Sequence, residues 1–212
     1  MVALWSTSII CTDKTGTITE GVMRVSRVIT ADEHYDFRRV VQDPRMAERL
    51  LLLKIAALCN DAVVENPDDE LRHWRVLGNP TEVALLMAAA QVGVRADELN
   101  RLEPRVDAIP FRSESKYMVT LHEAGRERRL YCKGSPEHIL SFSSTVEMAG
   151  RIRPLDAAVR RRLTAAFEEL SRHGLRVLGL AYRRAADVRI HDPPQGMTFA
   201  GFIGLKDPLR EG

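Results

Sequence analysis

Apolar positions recur along the chain with two periods, and the changes between them outline its elements. Residues 23–29 alternate apolar and polar as a half-buried strand does. Asp43-Pro44 supplies an N-cap and a first helical position, and residues 46–59 carry a broad apolar face, so a helix is predicted there. Asn79-Pro80-Thr81-Glu82 opens a second helix that runs to about Val92, with Gly93 as its stop. Strand patterns return at residues 106–111, 116–122 and 128–132, the last two joined as a hairpin by the turn at 123–126. Pro136 starts a short helix, residues 148–151 read as a turn, and residues 156–173 form an amphipathic helix closed by Gly174. Strands at 175–183 and 197–205 follow, and the loose loops fall at 66–72 and 187–196. Largely antiparallel strands interleaved with helices predict an α+β domain, an antiparallel sheet flanked by helices, rather than a doubly wound sheet.

Composition narrows the function classes. The chain has 212 residues, enough for one substantial core or two smaller ones. Its net charge is +2 with both signs scattered, which gives no electrostatic case for a nucleic-acid partner. Three cysteines sit in apolar segments without metal-ligand spacing and read as small core residues in a reducing compartment. The six histidines show no ligand pairing and read as surface or packing residues, and Arg160-Arg161-Arg162 reads as a solvated helix face. No apolar stretch approaches the run of about 20 residues that crosses a bilayer, so the chain as given is expected to be soluble.

The strongest chemical signal is Cys11-Thr12-Asp13-Lys14-Thr15-Gly16-Thr17. An apolar run delivers an aspartate into a turn rich in hydroxyls, glycine and positive charge, where a carboxylate nucleophile could meet a transferring phosphoryl group. An ordinary Asx/Thr turn is the structural alternative, but Asp-Lys-Thr-Gly-Thr arises by chance in a chain this long with a probability on the order of 10⁻⁴. The string resembles the phosphorylation motif of the P-type ion-transporting ATPases, with Ile18 where Leu is usual.

The resemblance extends through most of the chain. Leu58-Cys59-Asn60-Asp61-Ala62, Gly78-Asn79-Pro80-Thr81-Glu82, Ile109-Pro110-Phe111 with Lys116-Tyr117-Met118, Lys133-Gly134-Ser135-Pro136-Glu137, Gly174-Leu175-Arg176-Val177-Leu178 and Asp207-Pro208-Leu209-Arg210 are similar to type II, calcium-pump-like sequences, in the same order. It implies a nucleotide-binding domain at 22–198, inserted into a haloacid-dehalogenase-like α/β phosphorylation domain of which 1–21 and a return strand and hinge at 199–212 are incomplete pieces. It further implies an intact pump that hydrolyses ATP to transport a cation. There Asp13 would be the phosphorylated residue, Lys14 and Thr17 would lie near the phosphoryl group, and Mg²⁺ would be held by Asp13 and the Thr15 carbonyl. The remaining phosphorylation, actuator and transmembrane domains would be its partners, and the chain would face the cytoplasm. The family's downstream Thr-Gly-Asp and Gly-Asp-Gly-x-Asn-Asp motifs are absent, so this piece alone is expected not to turn over ATP.

The nucleotide contacts have structural alternatives. The resemblance stacks Phe111 on adenine and adds Lys116, whereas a lone Phe could be core. Glu82 is at N3 of its helix and could be completing a cap, or, by resemblance, could face the adenine amino group. Gly134 removes a Cβ where a ligand could approach, and Lys133 with the following helix start would attract phosphate or ribose. Arg176 and Leu178 share one strand face, so one site could receive a charge and an apolar contact, although an Arg opening a strand is commonly just solvated. Asp207 and Arg210 would sit at the hinge. Some family members carry an Arg between the stacking Phe and the Lys; here Arg112 sits one residue after Phe111 and Ser113 two after, so that contact is not assigned. Two other classes stay open: a soluble haloacid-dehalogenase-like phosphatase, whose second aspartate is replaced here by Thr15, and a non-catalytic nucleotide-binding module.

Overall fold

The segments with strand periodicity pair into one large sheet in a computed structural model, which describes residues 20–43 and 50–208. Asp13, Lys14, Thr15, Thr17 and Arg210 lie outside the described residues, as does the haloacid-dehalogenase-like strand expected to lead into Asp13. Strands β1 (Arg24–Ile29) and β2 (His34–Asp36) lead into helix α1 (Phe37–Gln42), and α2 (Leu51–Leu58) follows. A two-stranded ribbon, β3 (Val63–Val64) and β4 (Val76–Leu77), precedes α3 (Pro80–Gln91), α4 (Ala96–Leu102) and β5 (Arg105–Ile109). The hairpin β6 (Tyr117–Ala124) and β7 (Glu127–Gly134) runs into α5 (Pro136–Phe142), β8 (Ser143–Met148) and β9 (Arg151–Pro154). Helix α6 (Ala157–Arg172), β10 (Arg176–Ala185) and β11 (Met197–Lys206) complete the order. The sheet runs β2-β1-β11-β10-β7-β6-β5, with β8 parallel to the start of β11 and β9 antiparallel to β8. This is the expected α+β architecture, antiparallel except at β8.

Helices cover both faces, so the strands bury both sets of alternating side chains. Tyr117, Val119 and Leu121 of β6 join a core with Ile139 and Phe142 of α5 and Leu163 and Phe167 of α6. Met118 joins the other core, with Leu53 and Ile55 of α2 and Leu85 of α3. Double burial explains why β11 reads as a nearly continuous apolar run: all its residues except Lys206 are buried.

Local signals placed most element ends correctly. The Asp156 carboxylate caps α6 by accepting from the N–H groups of Ala158 and Val159, each at 2.8 Å. Gly93 and Gly174 take φ of 81° and 76°, the left-handed conformation that ends α3 and α6. Other expectations need correction. The described part of the helix predicted after Asp43 begins at Leu51, while α1 lies before it, started by Asp36 accepting the Arg38 N–H at 3.0 Å. Helix α4 and strands β8 and β9 flank or fill stretches read only as turn or connection. Residues 199–206, expected as a separate return strand, are the body of β11, between β1 and β10, so the division after Thr198 falls inside a central strand. Arg160 and Arg162 are not simply solvated. They donate to the carbonyls of Leu140, Ser143 and Ala31, tying α6 to α5 and to the β1–β2 connection.

Candidate functional site

The first turn of α3 gathers groups from four elements. Asn79, its N-cap, accepts the Glu82 N–H at 3.0 Å, and its amide donates to Glu82 Oε2 at 2.9 Å. Pro80 suits the first helical position. This reciprocal cap fixes the Glu82 side chain, whose Oε1 then accepts from Lys133 Nζ of β7 at 2.5 Å and from the Asp61 N–H at 3.3 Å. Both side chains of the pair are less than a tenth exposed, at 9% and 6%. Asn60 fastens the end of α2 to this turn by donating to the carbonyls of Ala56 and Glu82, both at 3.0 Å. Glu82 is therefore a capping residue, and its carboxylate also neutralises the buried Lys133 ammonium.

Around this pair the other expected residues are arranged along the sheet. Arg176, at the start of β10, is exposed and donates to Thr81 Oγ1 at 2.9 Å. Leu178, on the same strand, is half-buried against the α2–α3 core. Phe111 is 53% exposed, which rules out the core alternative for its ring. Lys116 is also exposed and takes φ of 58°, and its N–H donates to the Arg112 carbonyl at 2.7 Å. Its own carbonyl accepts the Ser135 N–H at 2.9 Å, so the turn that carries Phe111 and Lys116 is anchored to the end of β7.

Gly134 needs a different explanation from the one its motif invited. A Cβ there would lie 2.6 Å from the Lys116 carbonyl oxygen and 2.7 Å from Tyr117 Cβ. The neighbouring strand, not a ligand, takes up the space that the missing side chain leaves. Asp207 sits beyond β11, where its carboxylate accepts the Gly21 N–H at 3.1 Å, and next to it the Glu20 N–H donates to the Pro208 carbonyl at 2.9 Å. The chain thus enters and leaves the sheet side by side. The sequence carries no signal for Arg105, which holds Asp61 Oδ1 through both terminal nitrogens, at 2.8 and 2.7 Å, and Thr81 stands in a family motif with no role of its own. Asn60 and Asp61 stand in one of the quoted motifs without a role attached. Cys59 and Cys132 are fully buried, as expected of core thiols, and burial raises the pKa of both.

Residues 50–212 match the sequence profile described as P-type ATPase, cytoplasmic domain N. The chain belongs to the P-type ATPase family. Over 98% of its length it is 34% identical to the cation-transporting ATPase pma1 of Synechocystis and 32% identical to calcium-transporting ATPase 1 of Bacillus cereus. It is 35% identical to the probable cation-transporting ATPase F of Mycobacterium bovis, again over 98% of its length. It covers 25%, 23% and 24% of those proteins, so the chain spans about a quarter of the length of the curated relatives it matches. Membership of the P-type ATPase family implies use of ATP. Among the described residues no helix is long and apolar enough to cross a membrane.

Proposed function

We propose that this chain binds ATP beside the first turn of α3 and that, in the whole protein, the bound nucleotide phosphorylates Asp13 to drive cation transport. The observation that carries the reading is the Glu82–Lys133 pair of α3 and β7 with Arg176 of β10 bonded to Thr81 in the same helical turn, while the turn that carries Lys116 and the exposed ring of Phe111 is tied to the end of β7. Phe111 stacks on adenine. Glu82 Oε2, bonded to the Asn79 amide, faces the adenine amino group as an acceptor. Lys133 lies beside the base and ribose, and Leu178 adds an apolar contact. In register, Lys133 pairs with Leu180, four positions before which stands Arg176, about 13 Å at 3.3 Å per residue. Phosphates laid along that line meet Lys116 and Arg176 and point toward the Gly21–Asp207 junction.

That junction supports an inserted domain at about 22–206, hinged at Asp207 and Arg210 to an outer phosphorylation unit. There the Asp13 carboxylate attacks the γ-phosphorus, the bond to the β–γ bridging oxygen breaks, and ADP leaves; Lys14 and Thr17 stabilise the transferring group. Mg²⁺ is placed, on the motif alone, at Asp13 and the Thr15 carbonyl. It would offset phosphate charge there, and among the described residues no cluster of three or more His, Cys, Asp or Glu could hold a metal. The partners are the remaining phosphorylation, actuator and transmembrane domains, with this part facing the cytoplasm. The family match favours the pump over the soluble phosphatase.

Titration of the ¹⁵N-labelled chain with ATP tests the binding site. Affinity near the millimolar range, about −4 kcal/mol, is expected because one stacked base and a few exposed charges must offset association entropy. Shifts should concentrate at residues 79–82, 111–116 and 176. A folded sample that shows none at several times that concentration removes the reading.

A further inference from the structure

A second polar cluster lies on the same sheet face, where Tyr131 and Arg129 follow Lys133 at alternate positions of β7. Its centre is Glu103, the C-cap of α4, only 6% exposed. The carboxylate accepts from Lys54 Nζ of α2 at 2.5 Å, from the Tyr131 hydroxyl at 2.7 Å and from Arg129 Nη1. The main-chain carbonyl of Glu103 accepts from His122 Nδ1 of β6 at 2.9 Å. A carbonyl only accepts, so Nδ1 carries the hydrogen, and Nε2 accepts from the Thr120 hydroxyl at 2.9 Å. His122 is completely buried in this neutral form.

The groups around the imidazole are mostly cationic. Arg105 of β5 and Arg129 of β7 stand opposite His122 in register, Lys54 approaches from α2, and Tyr131 lies beside it with ring centroids 5.2 Å apart. Glu103 is the facing carboxylate, and Asp61 is reached through Arg105. We infer that His122 is a proton-operated latch: one proton taken from solvent onto Nε2 loosens β5 from β6 and lowers affinity for nucleotide. With Nε2 protonated, the Thr120 hydroxyl can no longer donate to it and must turn, and a new positive charge stands against Arg105, Arg129 and Lys54. The element least able to resist is β5. Among the described residues it pairs only with β6, and four of its five residues are exposed.

Two routes lead from β5 to the nucleotide site. The strand runs directly into Pro110 and Phe111, so its movement carries the ring. Arg105 also holds Asp61, whose N–H donates to Glu82 Oε1. Burial, with Arg105 and Lys54 adding to it, lowers the His122 pKa, although the Glu103 carbonyl opposes the shift. The folded chain therefore takes up this proton less readily than the unfolded chain. The contribution of His122 to stability is present above about pH 6.5 and is lost as pH falls below it.

The nucleotide part of this inference rests on the ATP reading, and the test separates the two. In the wild-type chain, the His122 ring and the β5 amides are followed by NMR from about pH 7.5 to about pH 5, with α6 amides as reference. The β5 shifts should follow the ring's titration while α6 stays in place. ATP affinity is measured over the same range for wild type and His122→Gln, which keeps one donor and one acceptor. Ionisation of the ATP phosphates is common to both and cancels in the ratio. Wild type should lose about tenfold more affinity than the variant, the equivalent of one pKa unit. A ring that stays neutral throughout, β5 amides that ignore its titration, or a constant affinity ratio each overturns the latch. Moving β5 amides with no ATP response at any pH would support the proton-driven release of β5 and overturn the nucleotide reading instead. The wild-type measurement stands even if the variant does not fold.

Discussion

Strands β6 and β7 contribute Tyr117, Val119, Leu121, Leu130 and Cys132 to the core shared with α5 and α6, whereas the alternate set includes Thr120, His122, Arg129, Tyr131 and Lys133. One backbone thus carries an apolar face and a polar one. The apolar face is held by non-directional burial that many residues share, so a local loss is felt mainly as stability. The polar face is held by specific partners. Each buried charge depends on one or two others, so a single removal strands the rest, and the face can respond to a ligand or a proton.

The largest expected effect is on the apolar face. Phe202 is fully buried, with its ring 4.8 Å from Phe199 and 5.7 Å from Phe167 between centroids. Phe202→Ala should cost about 3 to 5 kcal/mol in denaturant unfolding. ATP affinity should be unchanged wherever the variant remains folded; a selective loss of binding would break the division between the faces. Glu103→Ala comes next, at about 3 kcal/mol, because Lys54 and Arg129 lose a buried acceptor. A cost below about 1 kcal/mol would place that network among ordinary surface ion pairs.

The smallest effect on folding should be at Phe111. Its exposed ring gives Phe111→Ala little to lose in stability, under about 0.5 kcal/mol, yet ATP binding should weaken by about 1 to 3 kcal/mol. Calorimetric titration beside thermal unfolding separates the two quantities. Unchanged affinity would move the base away from this ring and leave the polar face without its stacking platform.

What the sequence determined by itself was local. Asn79 as a cap, Gly93 and Gly174 as stops and the β6–β7 hairpin are written within a few neighbouring residues, and the structure follows them. The family was legible as well, because its motifs are short contiguous strings. Tertiary structure decided what depends on strand order. It placed β11 at the centre of the sheet and filled the space at Gly134 with a neighbouring strand. It also joined Glu82 to a lysine 51 residues away and collected Lys54, Arg129 and Tyr131 on Glu103. No period or cap reports such meetings. A residue's own neighbours fix its backbone and the side of the strand it occupies, but the partner across the sheet is chosen only when the cores on both faces close.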